Sequence, residues 1–254
     1  MTPKPDCYWP IFLEVFEALP RQGPGSRECA ARALALGPAL PAEPRIADLG
    51  CGSGGQTLQL AELLPHSTID ALDSHAPLLE RLKAGALAKS LQHRIRVHRG
   101  DMDAPPFADQ SFDLIWSEGA VYNLGVTHAL RRWRPLLRPG GWIAFTEAVW
   151  LRGDPPPAAR AFWEAEYPRM ADVPANLAII TEAGFETLGH FPLPAEAWWS
   201  DFYRPLEARV GVLKKEYAGD PAAQTALSLI QHEVDIHRRY GEYYSYAFFV
   251  VRPR

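Results

Sequence analysis

Asp48-Leu49-Gly50-Cys51-Gly52-Ser53-Gly54-Gly55 is the stretch whose reading decides the fold. It follows a short apolar run, Arg45 to Leu49, and precedes a helical pattern starting at Gln56, so it reads as a strand, a glycine turn and a helix N-terminus. Glycine is needed because such a turn uses backbone angles closed to residues with a Cβ and lets the chain come close to a ligand. Gly50, Gly52 and Gly55 also satisfy G-x-G-x-x-G, which on glycines alone permits a dinucleotide. Asp48 weighs against that reading: its carboxylate, two residues before the first glycine, is expected near the place a pyrophosphate would take. A cationic ligand suits it better.

Outward from this turn, strand and helix patterns alternate. Residues 45–49 read as β, 56–64 as α, 68–72 as β, 77–89 as α, 95–99 as β, 112–117 as β, 126–137 as α and 141–147 as β. Such alternation implies a parallel sheet with helices on both faces, a doubly wound α/β fold. Val126, Leu130, Trp133 and Leu137 recur at helical spacing, and Pro135 is expected to kink the last turn of that helix. Before the sheet, residues 10–19 and 26–36 read as helices, with Ser26 as a cap for the second. After Glu147 the chain passes Arg152-Gly153-Asp154-Pro155-Pro156-Pro157 into helices near 158–167 and 174–183 and a strand at 185–191. An insertion then carries a helix marked by Leu206, Val210, Leu213 and Tyr217 and another opened by Asp220-Pro221, before a final strand at 244–252. The expected division is a helical lid at 1–44, a core at 45–150, and a helical cap with the last two strands at 151–254.

The 254 residues are 47% hydrophobic and carry a formal net charge of −4, enough for one α/β core with a modest cap and without the basic surface that nucleic acid requires. A small molecule is the expected partner. Cys7, Cys29 and Cys51 are scattered, which suggests a reducing cytoplasm and neither a disulfide framework nor a metal knuckle. Residues 8–19 contain Pro10, Glu14 and Glu17 and lack a basic leader, so they read as an amphipathic helix and not a signal peptide. No run reaches transmembrane length, so no membrane partner is expected. Oligomeric state is left open.

Four features in order resemble the class I S-adenosylmethionine-dependent methyltransferases: the D-x-G-x-G-x-G form of Asp48 to Gly54; Asp73 at the end of the second strand; Gly100-Asp101-Met102 after the third; and Phe112 to Ser117 followed by Leu137-Arg138-Pro139-Gly140-Gly141. Gly140 and Gly141 are architectural. The stretch Trp116 to Gly125, with Gly54-Gly55-Gln56-Thr57, is similar to a bacterial subgroup acting on small molecules. The resemblance implies a Rossmann-like sheet of seven strands, mostly parallel with the last antiparallel, and S-adenosylmethionine as cofactor. It implies cofactor contacts at Asp48, Gly50, Cys51, Gly52, Gly54, Gln56, Asp73, Ser74, Asp101, Met102, Ser117 and Glu118, with Asp73 on the ribose hydroxyls and Asp101-Met102 at the adenine. Asp73 also suits a dipole-stabilising acid at a helix start, and Asp101 an ordinary turn acid. The chain lacks the Asn- or Asp-Pro-Pro-aromatic signature of adenine and glutamine methylation, the Pro-Cys nucleophile of cytosine methylation and the cysteines of arsenite methylation.

Methyl transfer from a sulfonium releases a neutral thioether, so it needs alignment and an acceptor with a free lone pair; a hydroxyl, phenol or ammonium acceptor also needs a base. Oxygen or nitrogen is favoured over carbon. Glu118, at the carboxyl end of a central strand, is the first candidate for that base, and a contact to the methionine amino group is at least an equal reading. Tyr122, one turn on, is the candidate for positioning substrate. His75 reads as bordering the adenosine pocket or as a surface residue. Trp198, Trp199, Phe202 and Tyr203 read as a pocket lining or, more often for such clusters, as core between cap and sheet. Tyr8 and Trp9 are candidates for a lid. His232 and His237 are five apart and off one helix face, and no metal is assigned. A hydride-transferring enzyme and a cofactor-binding module without catalysis are the alternatives; the Tyr-x-x-x-Lys pair expected of the former is missing from the sequence.

Overall fold

The computed structural model describes residues 4–254; the first three residues of the expected lid lie outside them. The elements are α1 Tyr8–Phe16, α2 Arg27–Leu36, β1 Arg45–Leu49, α3 Gly55–Leu63, β2 Thr68–Asp73, α4 Ala76–Ala88, β3 Ile95–Arg99, β4 Phe112–Ser117, α5 Val126–Trp133, β5 Leu137–Trp150 and α6 Pro157–Glu166. They continue as β6 Ala171–Asp172, α7 Val173–Glu182, β7 Phe185–Pro192, α8 Glu196–Trp198, α9 Arg204–Glu216, α10 Pro221–Tyr240 and β8 Tyr244–Pro253. The sheet order is β3-β2-β1-β4-β5-β8-β7, with the short β6 beside β5. β1 to β5 run parallel, and β8 is antiparallel to both β5 and β7, as the resemblance implies. Among the described residues there are eight strands where seven are expected, because β6 is a two-residue pairing that leaves no alternation to read.

Local sequence explains most boundaries. Ser26 caps α2 by accepting from the Cys29 amide at 3.2 Å, and Asp220 caps α10 by accepting from Ala222 and Ala223. α5 stops at Trp133 and a single 3₁₀ turn, Arg134–Leu136, follows it, so Pro135 ends the α-helix instead of bending it. β5 starts earlier than expected, at Leu137, and crosses a register shift before Leu114 meets Trp142. A Cβ on Gly141 there would sit 3.0 to 3.2 Å from three carbonyl oxygens, which fixes glycine at the irregularity.

Two apolar clusters line the two faces of the sheet, and a third forms away from them. The third joins α1 with Trp198, Phe202 and Tyr203, α9 and α10, so the expected lid and cap share one core. α7 instead packs with α5 and β7 and belongs to a sheet-covering layer. Among the described residues no helix is long and apolar enough to cross a membrane.

Candidate active site

The sheet reverses its winding direction between β1 and β4, and strand ends diverge there to leave a crevice. A cavity of about 640 Å³ opens at that point, walled by the ends of β1 to β4 and roofed by α1 through Trp9, Phe12, Leu13 and Phe16. Gly50 and Gly52 have φ of +78° and +53°, and Gly50 and Cys51 both donate to the Leu72 carbonyl, which curls the turn against β2.

Of the residues expected at the site, Gly50, Cys51, Gly52, Gln56, Asp73, Ser74, Asp101, Met102, Glu118 and Tyr122 line this cavity. Asp73 accepts from the Gly52 amide at 2.8 Å through Oδ2 and from the His75 amide at 2.9 Å through Oδ1. Each of its oxygens keeps a lone pair free for a ligand hydroxyl. Asp101 holds its own turn by accepting from the Asp103 amide at 2.8 Å, leaving the second oxygen uncommitted beside the cavity. His75 also lines the cavity and meets Glu17 at 2.6 Å, tying α4 to the segment after α1.

Three expected contacts lie elsewhere. Asp48 is fully buried behind the turn, where Thr57 donates to it at 2.5 Å and Oδ1 has no partner. It therefore points away from the ligand side, and the electrostatic case built on it for a cationic ligand fails. Ser117 is also buried and donates to the Leu49 carbonyl, and Gly54 packs against Leu82 beneath α3. Trp198, Phe202 and Tyr203 sit in the third core, with the Trp198 indole bonded to Ser245, so the pocket reading of that cluster is wrong. Of the lid pair, Trp9 faces the cavity and Tyr8 is buried in the same core.

Glu118 departs most from expectation. Its side chain is 2% exposed; Oε2 accepts from Arg21 at 2.6 Å and Oε1 from the Trp116 indole at 2.8 Å. A carboxylate with both oxygens engaged is poorly placed to remove a proton. Sequence reasoning missed both Arg21 and its neighbour Gln22. Gln22 Oε1 accepts from the Ser53 amide, while Nε2 donates to the Phe16 and Leu19 carbonyls. The one available signal was two long polar side chains inside the Pro20 to Gly25 loop.

These bonds also commit two amides of the glycine turn: Gly52 donates to Asp73 and Ser53 to Gln22. What remains is a glycine-walled cradle with carboxylates at Asp73 and Asp101 and the Arg21–Glu118 pair, which suits a nucleoside joined to an amino acid. Asp73 and Asp101-Met102 would hold the nucleoside; the Gly50 to Gly52 backbone and the ion pair would hold the amino acid.

Asp48 has a consequence for stability. Burial pushes its carboxyl up to about 7 despite the Thr57 hydrogen bond, and the charge on Glu118 adds to the rise. A folded-state value above the ordinary one gives stability that is complete below about pH 4 and is lost as pH rises to about 7. Relative to wild type, Asp48→Asn should therefore gain up to about 1.4 kcal/mol per pH unit across that window and level off above it. Urea unfolding of both proteins at pH 4.5, 6 and 8 checks this; a pH-independent difference would contradict it.

Residues 46–141 match the family described as "Methyltransferase domain". The chain is 38% identical over 109 residues to trans-aconitate 2-methyltransferase of Deinococcus radiodurans, covering 41% of this chain and 39% of that protein. It is 32% identical over 117 residues to dimethylglycine N-methyltransferase of Parasynechococcus marenigrum, covering 46% and 41% respectively. The chain thus spans about two fifths of the length of these curated relatives. In overall fold it is similar to a SAM-dependent methyltransferase from Thiobacillus denitrificans crystallised with S-adenosyl-L-homocysteine, at a TM-score of 0.83 and 21% identity, over 96% of this chain and 98% of that one.

Proposed function

We propose, from the match of residues 46–141 to the methyltransferase domain family, that the protein is an S-adenosylmethionine-dependent enzyme that methylates a small organic acceptor at nitrogen or oxygen. The observation that carries the reading is the cavity wall itself, where the Gly50 to Gly52 turn, Asp73, Asp101 and the Arg21–Glu118 pair converge on one space. S-adenosylmethionine bound there supplies an electrophilic methyl group on a sulfonium.

The chain's own residues align and enclose. Asp73 receives ribose hydroxyls, and Arg21 offers a guanidinium to the methionine carboxylate while Glu118 holds Arg21 in place. Trp9 and Phe12 close the roof and keep water from the reacting atoms. Glu118 is a positioning residue in this scheme. The acceptors in the relatives' names differ in class, one a carboxylic acid and one methylated at an amine nitrogen, so this chain's own residues select its acceptor.

Titration calorimetry with S-adenosylhomocysteine and, separately, with NADH tests the reading: binding of the first alone is expected, and binding of NADH alone would overturn it. In the same assay Asp73→Ala should weaken S-adenosylhomocysteine binding by about one to two powers of ten, the worth of one charge-assisted hydrogen-bond pair. An unchanged affinity would remove Asp73 from the site.

A further inference from the structure

Beyond the cofactor contacts, the cavity wall leads to a group of titratable side chains that the scheme above does not use. Tyr122 lines the cavity, and its ring lies 5.9 Å from that of Tyr167, edge to face. The Tyr167 hydroxyl neighbours the Glu147 carboxyl at the end of β5. Tyr246 comes within 3.7 Å of where a Cβ on Gly119 would lie, and Gly119 is cavity wall. Tyr122 and Gly119 in the cavity wall thus border three further groups, Tyr167, Tyr246 and Glu147, packed just behind it.

Glu147 is the odd member. It is 2% exposed; Oε1 accepts from its neighbouring Ala148 amide at 3.0 Å, and Oε2 is enclosed with no hydrogen bond, the Tyr167 hydroxyl standing near the carboxyl without bonding geometry. No Lys, Arg or His among the described residues pairs with it; Arg169 bears on Tyr167 and not on Glu147. Glu233 lies within electrostatic reach of the Tyr246 hydroxyl on the other side, itself accepting from Tyr203 at 3.0 Å and influenced by Glu166 and Lys4. An enclosed carboxyl oxygen without a donor is costly, and a donor brought in by a ligand removes the cost.

Resting on the proposed methyl transfer, we propose that Glu147, with Tyr122, Tyr167 and Tyr246, forms the acceptor subsite and takes a protonated aliphatic amine. Ammonium N–H groups satisfy the open Glu147 oxygen, and the phenol faces favour a cation over a neutral or anionic group. A carboxylate acceptor placed there meets Glu147 with no compensating cation. Glu147 Oε2 takes one proton from the ammonium, freeing the nitrogen lone pair. That pair forms the N–C bond as the C–S bond breaks with its electrons going to sulfur. The products are a methylated ammonium and a neutral thioether, and the proton on Glu147 passes to water when they leave. Burial, with only the Ala148 amide and the Tyr167 hydroxyl opposing it, pushes the Glu147 carboxyl up to about 7, close to the value a base needs at neutral pH.

The test is S-adenosylhomocysteine release from the full chain with a panel of primary and secondary aliphatic amines and size-matched carboxylic acids and phenols, with S-adenosylhomocysteine affinity measured in parallel. Turnover of amines is expected, with kcat/KM rising to a plateau above about pH 7. Glu147→Gln should lose about 100-fold or more in kcat/KM and the limb near pH 7, with cofactor affinity within about twofold of wild type, since uncoupled sites are independent. Tyr122→Ala, which leaves β5 untouched, should raise KM for the amine by about tenfold, the worth of one lost cation–π face. Cofactor binding with turnover of acids or phenols and not amines overturns the subsite, as does binding with no amine turned over, or Glu147→Gln and Tyr122→Ala retaining wild-type kinetics. Failure to bind S-adenosylhomocysteine at all overturns the methyl-transfer reading instead.

Discussion

Arg21→Met is expected to lower stability by about 3 to 5 kcal/mol, the usual cost of removing one partner of a buried ion pair. For a chain of this size that is a fall in the thermal midpoint of about 10 °C. Arg21 and Glu118 have side chains 4% and 2% exposed and meet at 2.6 Å. Arg21 also donates to Gln59 at 3.1 Å and to the Gly23 carbonyl at 3.4 Å, so it braces the loop before α2 against α3. Methionine fills much of its volume and supplies no charge, leaving Glu118 with the Trp116 indole as its one remaining donor. Desolvation cost and attraction nearly cancel within an intact buried pair. The double variant Arg21→Met/Glu118→Leu should therefore recover most of the lost stability while binding S-adenosylhomocysteine poorly. Differential scanning calorimetry of the three proteins measures this; a single variant within about 1 kcal/mol of wild type would mean the pair carries little.

Gly50→Val is expected to abolish measurable cofactor binding, a loss of more than about 100-fold, for two independent reasons. The first is conformational: φ is +78°, where a β-branched residue is strained. The second is steric, since a Cβ there would lie 2.5 Å from the Ala120 Cβ and 3.5 Å from Met102 Sδ. Relief must push apart the turn and the segment after β4, and both are cavity wall. Gly153→Ala is the matched control, because nothing lies within 4 Å of a Cβ at that position. Calorimetric titration with S-adenosylhomocysteine should separate the two cleanly; equal affinity would show that the turn tolerates a side chain.

Much of this arrangement can be read from the sequence because it depends on local rules. The glycine turn, Asp73 and the alternation of periods two and 3.6 from Arg45 to Glu147 are properties of short windows, and they point to the end of the sheet where the cavity opens. Asp48 shows where local reasoning stops: its place two residues before the glycine was clear, but the side it faces depends on Thr57 from α3. Arg21 and Gln22 reach residues 30 or more positions away, to Glu118 and Ser53, so no window contains both partners. Glu147 shares this difficulty, since on β5 it reads as one polar residue in a buried strand, and its meaning comes from Tyr122 and Tyr167 on separate turns. The aromatic run from Trp198 to Tyr203 leaves pocket lining and core both open to composition, with core the commoner outcome, and packing against α1 and α10 makes it core.

The shared core of α1, α9 and α10 also bears on how this protein can change over evolutionary time. The helix that roofs the cavity and the helices of the cap are one packing unit, although nearly the whole chain separates them in sequence. Interiors packed at such density pass on the addition or loss of a single methylene. A lineage that alters α10 therefore inherits a matching adjustment in α1, and a change in the cap arrives together with a new way of closing over the cavity.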